Sequence, residues 1–198
     1  MQGFKNYGPG TLWKLDFLKA ELSQDQLDLL LSTSDAAIQN DIDWSHNLVG
    51  ELKKGKEVKY EFPKEFDFRP LVAEYLANSF ELPVDARQLE VREAWVVSQY
   101  AGDYNPVHSH ESTISGIIYL KTPEQIKNSF NQAEPSLDGT IQFIYGNYHR
   151  PSLQNFGPRV VLPEPGDMYI FPSYILHTVY PFTGDGERRS IAFNMEIV

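Results

Sequence analysis

The chain has 198 residues, 41% of them hydrophobic and 22% charged, with 13 prolines, 13 glycines, 12 phenylalanines and 11 tyrosines, a globular composition of single-domain size. Its formal charge of −10 argues against a phosphate backbone as a general partner, and the lack of cysteine excludes disulfides and thiolate metal sites. No run approaches the roughly 20 apolar residues that cross a bilayer, and the start MQGFKNYGPGTLWKL lacks a signal-peptide pattern, so the cytoplasm is the expected compartment.

Residues 1–20 read as an extended or strand-forming lead-in anchored by Leu12, Trp13, Leu15, Phe17 and Leu18. Ser23-Gln24-Asp25-Gln26 has capping-box form ahead of Leu27, Leu29, Leu30 and Leu31, which predicts a short helix ending near Ser34. Residues 41–62 read as strands around the Lys53-Lys54-Gly55-Lys56 cluster, itself expected as a solvated hairpin or loop. Leu71, Val72, Tyr75 and Leu76 fall at helical spacing and predict a second helix over 67–80. From Leu89 the pattern changes to strands: 89–100, a turn at Ala101-Gly102-Asp103, then 107–120. Residues 121–138, with Pro123 and Pro135, read as a long inserted loop, 140–145 as a strand and 146–165 as a second proline-marked loop; loops of such length often act as lids or recognition elements. Strands over 167–171, 175–180 and 188–198 complete the set. Many short strands with Pro/Gly turns give a mainly β fold with flanking helices, a sandwich or barrel. No repeat or linker interrupts it, so residues 1–198 are expected to form a single domain, 1–88 as helical and strand support and 89–198 as the β core.

Three of the five histidines form the strongest chemical signal. His108 and His110 stand at i and i+2, which on a strand puts both imidazoles on one face. His177 follows a strand and a proline-marked bend and is the candidate third ligand of a metal, whose identity imidazole alone does not select. His46 and His149 read as surface or satisfied core residues. On the last strand Arg188, Ser190, Ala192 and Asn194 share one face, and Arg189, Ile191 and Phe193 the other. Arg188 and Ser190 are thus placed to grip the carboxylate of a metal-chelated co-substrate, against the plainer reading of a solvent-facing arginine pair. Asp167 reads as a turn-shaping residue.

Residues 98–198 resemble the 2-oxoglutarate- and Fe(II)-dependent dioxygenase superfamily of double-stranded β-helix fold. Ser98-Gln99-Tyr100-Ala101-Gly102-Asp103-Tyr104-Asn105-Pro106-Val107-His108 is similar to the approach to the metal site in prolyl hydroxylases. Ser115-Gly116-Ile117-Ile118-Tyr119-Leu120, Phe171-Pro172 with His177, and Arg188-Arg189-Ser190-Ile191-Ala192-Phe193-Asn194 resemble a bacterial and phage branch. The resemblance implies Fe(II) and 2-oxoglutarate as cofactor and co-substrate, O2 as oxidant, and hydroxylation of a C–H bond with release of succinate and CO2. It implies Arg188 and Ser190 at the far carboxylate of 2-oxoglutarate, and Tyr119 and Tyr100 as phenols that bind the co-substrate unless they are core aromatics. The substrate is expected to be peptidyl or a small molecule, with the two long loops around its entrance. The chain departs from the superfamily in one respect: His110 occupies the place of the usual His-X-Asp/Glu carboxylate. Glu111, which would need a bulge to share the face, and Asp103 are the reserve carboxylates.

A cupin-type metalloprotein, an isomerase or a dioxygenase without 2-oxoglutarate, is the alternative. Gly102-X5-His108-X-His110 and Gly166-X5-Pro172 with His177 resemble the two cupin half-motifs, although the usual glutamate and second glycine are missing. A cupin has no need of Arg188 and Ser190. A non-catalytic binding barrel is the third reading, and predicts no metal uptake.

Overall fold

A computed structural model describes residues 16–131, 136–144 and 159–198. In chain order the elements are β1 (Leu18–Glu21), α1 (Gln24–Asn40), β2 (Lys56–Tyr60), α2 (Arg69–Phe80), β3 (Leu89–Gln99), β4 (Asn105–His108), β5 (Ile114–Lys121), α3 (Glu124–Phe130), β6 (Ile141–Ile144), β7 (Arg159–Val161), β8 (Asp167–Pro172), β9 (Leu176–Val179) and β10 (Arg188–Ile197). They make two antiparallel sheets, ordered β1-β8-β5-β10-β3-β2 and β4-β9-β6-β7. None of the described helices is long and apolar enough to cross a membrane.

Side-chain alternation explains how the large sheet serves two layers. Ile118 and Leu120 of β5, Met168 and Ile170 of β8, and Ile191 and Phe193 of β10 face one way. There they bury against Leu30 of α1 and Val72, Tyr75 and Leu76 of α2. The alternate residues Ile117, Tyr119, Tyr169 and Phe171 face the small sheet and pack on Ile141, Phe143 and Val179. Each fully buried residue of this kind contributes about 1.5–3 kcal/mol of transfer free energy, so both faces of the sheet are strongly specified. The space between the sheets is the interior of the barrel.

The first helix begins with the expected box: Gln26 N–H donates to the Ser23 hydroxyl, and the Gln26 side chain accepts from Ser23 N–H. It does not stop near Ser34 but runs to Asn40, ending at Asp41 in the left-handed region (φ 52°). Ser32, Thr33 and Ser34 look like terminators, yet their hydroxyls donate to carbonyls three or four residues back. Those local bonds satisfy the side chains without opening the helix. Residues 41–62 hold a single strand, β2, and a 3-10 turn at Ser45–Asn47, fewer strands than expected. Residues 121–138 are not a plain loop, since α3 lies within them behind Pro123, and β7 interrupts 146–165. The proposed anchors Leu12, Trp13 and Leu15, together with His149 and Pro135, lie outside the described residues.

Arg189, on the helix-facing side of β10, ties the layers together. Its guanidinium donates to Glu187 (2.7 and 2.9 Å) and to Asp35 and Ser34 of α1. Arg189 and Glu187 side chains are 6% and 14% exposed, whereas Asp35 is 53% exposed, so the Glu187 end carries most of the energy. Arg189→Met leaves a buried carboxylate short of its main partner and is expected to lower unfolding stability by about 3 kcal/mol in a urea titration.

Candidate metal centre

His108 ends β4 directly opposite His177 of β9, so backbone register alone brings two imidazoles to within 4.2 Å of each other, centroid to centroid. The expected 107–120 strand is broken between β4 and β5, and His110 stands in that break rather than on a regular strand. Strand alternation therefore does not set the direction of the His110 side chain. His110 is instead positioned by its amide N–H, which donates to the Ser173 carbonyl (2.9 Å), and its ring packs against Trp95. The break is held by a directed hydroxyl chain. Ser115 donates to Asn194 Oδ1 (2.7 Å), which leaves Ser173 to donate to Ser115 (2.7 Å) and Ser112 to donate to Ser173 (2.6 Å). Asn194 Nδ2 in turn donates to Glu93 (2.7 Å).

The candidate ligand atoms of His108, His110 and His177 all lie within 4.8 Å of one another. His108 Nδ1 lies 2.7 Å from the Pro106 carbonyl and His177 Nδ1 2.9 Å from the Ile175 carbonyl. A carbonyl only accepts, so both Nδ1 atoms carry hydrogen and both Nε2 atoms offer a lone pair. Burial, and then the neighbouring imidazoles, push His110 down to about 4 and His177 down to about 3; burial lowers His108 as well. Three neutral imidazoles are a donor set for a divalent cation. His46 lies elsewhere, exposed, with its ring beside Asn47 and Trp44.

The cavity behind the histidines is lined by Gln99, Ser115, Tyr119, Ser190 and Ala192, with Ile117, Ile141 and Phe171 as apolar wall. Tyr119 is 1% exposed and its hydroxyl has no hydrogen-bond partner among the described residues. Arg188 is also 1% exposed. Its Nε and one terminal nitrogen donate to Gln99 Oε1 (3.2 and 2.7 Å), and the other terminal nitrogen donates to the Tyr180 carbonyl (2.9 Å). Among the described residues no carboxylate forms an ion pair with it, and burial lowers it to about 10. A buried cation facing only neutral acceptors, beside an orphaned phenol, fits an anion that is brought in with a ligand.

Other expected residues fall outside this constellation. Tyr100 is 36% exposed at the turn after β3 and does not line the cavity; the inward residue there is Gln99. Glu111 is exposed. Asp103 is fully buried, but its carboxylate accepts backbone N–H bonds from Lys53 and Tyr100, a structural task. Asp167 is buried too, paired with Lys19 (2.8 Å) and accepting from the Tyr169 hydroxyl. A surface hollow of about 660 Å³ lies by Trp44, Lys59 and Phe62, and none of the three clustered histidines lines it.

Gln99, Asn105 and Glu57 are not among the site residues expected from the sequence. Gln99 Nε2 donates to Asn105 Oδ1 (2.7 Å), and Asn105 Nδ2 donates to Glu57 Oε1 (3.3 Å). With the Arg188–Gln99 bonds this makes a continuous path from the buried cation to a buried acid. Alternation along β3 places Gln99 on the face of Trp95 and Val97 and was the available signal.

Solved structures of similar fold include the viral collagen prolyl hydroxylase of Paramecium Bursaria Chlorella virus-1 in complex with 2OG, with TM-score 0.56 and 17% identity over 92% of this chain and 96% of that one. A Pseudomonas putida prolyl-4-hydroxylase gives TM-score 0.56 and 13% identity, covering 92% of this chain and 93% of the other. HygX of Streptomyces hygroscopicus, solved with nickel, 2-oxoglutarate and hygromycin B, gives TM-score 0.55 and 13% identity, covering 92% and 83%. No curated protein matches the chain. The two facing sheets are those of a double-stranded β-helix. Residues 93–194, just over half of the chain, match the family described as "Putative 2OG-Fe(II) oxygenase". The matched segment carries His108, His110 and His177 as well as Arg188, and the chain belongs to this family of 2-oxoglutarate- and Fe(II)-dependent oxygenases.

Proposed function

We propose that His108, His110 and His177 hold the Fe(II), that Arg188, Ser190 and Tyr119 receive the far carboxylate of 2-oxoglutarate, and that the protein hydroxylates a C–H bond of a peptidyl or small organic substrate. Convergence of the three imidazoles on a cavity whose lining residue Gln99 accepts from Arg188, a buried arginine with no ion-pair partner among the described residues, carries this reading. Bound together, the metal and 2-oxoglutarate supply O2 activation coupled to loss of CO2 and release of succinate.

The protein's own residues orient and desolvate. The Pro106 and Ile175 carbonyls fix the tautomers of His108 and His177, so that each Nε2 is presented to the ion. Three neutral ligands leave the ion's full charge to be met by a dianion, which suits a donor set with histidine in the carboxylate place. Arg188 supplies a fixed charge for the distal carboxylate, and the Tyr119 hydroxyl has a hydrogen to donate. Ile117, Ile141 and Phe171 keep water from the inner end. The outer side of the imidazoles remains for the substrate. The match to a 2-oxoglutarate oxygenase family weighs against the cupin alternative.

The test is anaerobic titration of the iron-loaded protein with 2-oxoglutarate. A weak visible charge-transfer band is expected, followed by succinate release on admitting O2. Bound iron without that band would return the cupin alternative, and no metal uptake would leave a non-catalytic barrel.

A further inference from the structure

On the side of the imidazoles away from Tyr119 and Ser190 lies a second cleft. Trp95, Asn105, His108 and His110 belong to both hollows, while Asn47, Leu48, Val49, Glu57 and Ser109 belong to the outer one alone. Glu57 is the acid in its wall. It sits on β2 opposite Val97 and, unlike Val58 and Tyr60, is not part of the helix-side core.

Glu57 is 2% exposed. Its Oε1 accepts one long bond from Asn105, and its Oε2 is buried with no partner among the described residues. Nearby lysines do not neutralise it: Lys56 pairs with Asp41 (2.7 Å) and Lys59 lies 3.8 Å from Glu61. Among the described residues no arginine lines this cleft. A buried carboxyl with one oxygen held by a single long bond and the other unpartnered, in a wall to which no described arginine or lysine contributes, costs stability unless something else uses it.

We propose that this outer cleft seats the primary substrate and that Glu57 is a specificity-determining residue that binds a cationic nitrogen of it, an alkylammonium or guanidinium group. The inference rests on the metal-site reading above and names the substrate class for that site. The Arg188–Gln99–Asn105 path holds Oε1, which leaves Oε2 as the carboxylate oxygen without a donor in a side chain that lines the cleft. Trp95, in the same wall, offers an aromatic surface of the kind that favours cations. Burial raises Glu57 to about 7, and an incoming cation favours the charged carboxylate. The chain's net charge of −10 draws cations toward the surface.

The experiment uses zinc- and 2-oxoglutarate-loaded protein at pH 8, with saturation-transfer NMR of n-butylammonium, n-butanol and n-butyrate. The wild type is expected to bind n-butylammonium with a dissociation constant on the order of 1 mM, as suits a ligand of so few atoms, and n-butyrate not measurably. Glu57→Gln keeps an acceptor for Asn105 but loses the charge, and should weaken the ammonium at least about tenfold while sparing zinc and 2-oxoglutarate uptake. Equal binding of ammonium and butyrate by the wild type overturns the proposal without recourse to any variant, as does unchanged ammonium binding in Glu57→Gln. Normal zinc and 2-oxoglutarate uptake with no ammonium binding sinks this inference alone. Failure of zinc or 2-oxoglutarate uptake in the wild type removes the reading beneath it.

Discussion

His177→Ala is expected to weaken Fe(II) or Zn(II) binding by about two to three orders of magnitude while the protein stays folded. Four-ligand zinc sites bind with apparent free energies of about 10–16 kcal/mol, roughly 2.5–4 kcal/mol for each ligand, which sets the scale of losing one of three imidazoles. His177 is the most buried of the three and is held from two directions, by register with His108 and by its Nδ1 bond to the Ile175 carbonyl. Its ring packs on Phe143 and Phe171, and truncation there also forfeits some packing. A thermal melt of the metal-free protein separates that loss from the metal effect. His46→Ala and Glu111→Ala serve as controls, since both residues are exposed and neither belongs to the cluster. His110→Asp restores the superfamily's usual carboxylate at that place and should retain or tighten metal binding. Wild-type affinity in His177→Ala, or loss in Glu111→Ala, would require a different ligand set.

Much of this site was legible because β-strand alternation is strict. The parity of β10 separated Arg188, Ser190, Ala192 and Asn194 from Arg189, and the structure places Ser190 and Ala192 in the cavity lining and Arg189 against α1. The same rule applied to β3 would have chosen Gln99 over Tyr100, since Trp95, Val97 and Gln99 share the inner face; the chain leaves the strand before Tyr100. His110 was expected for a reason that does not hold. Its place depends on a break between strands pinned by Ser112, Ser115, Ser173 and Asn194, groups 58 to 79 residues apart that no local pattern connects. Glu57 was hidden by its neighbours, because a Lys-Lys-Gly-Lys-Glu run looks solvated until pairing with β3 turns the glutamate inward. α3 was missed because its seven residues contain two apolar side chains, Ile126 and Phe130, too few to mark a helical face.

Arg188→Met is expected to raise the dissociation constant for 2-oxoglutarate at least about a hundredfold with metal uptake intact. Two charge-assisted hydrogen bonds at about 1.5–3 kcal/mol each correspond to a factor of roughly 10² to 10⁴. Of the five guanidinium N–H groups, the three bonding nitrogens account for bonds to Gln99 Oε1 and the Tyr180 carbonyl, which leaves donors for a carboxylate. Fold stability changes less than the burial of this side chain suggests. The variant leaves Gln99 Oε1 and the Tyr180 carbonyl without their donor, but it also removes a buried charge that has no ion-pair partner among the described residues, and the two effects oppose each other. Selectivity gives the cleaner reading. The wild type should prefer 2-oxoglutarate over 2-oxobutyrate, which chelates a metal through the same oxo-acid end but lacks the far carboxylate. In Arg188→Met that preference should shrink toward unity. Arg189→Met, by contrast, should lose stability and keep the preference, since its guanidinium is committed to Glu187 and Asp35. A ratio measured within one protein is insensitive to the fraction folded. Undiminished discrimination in Arg188→Met, or its collapse in Arg189→Met, would therefore assign the carboxylate to a different residue.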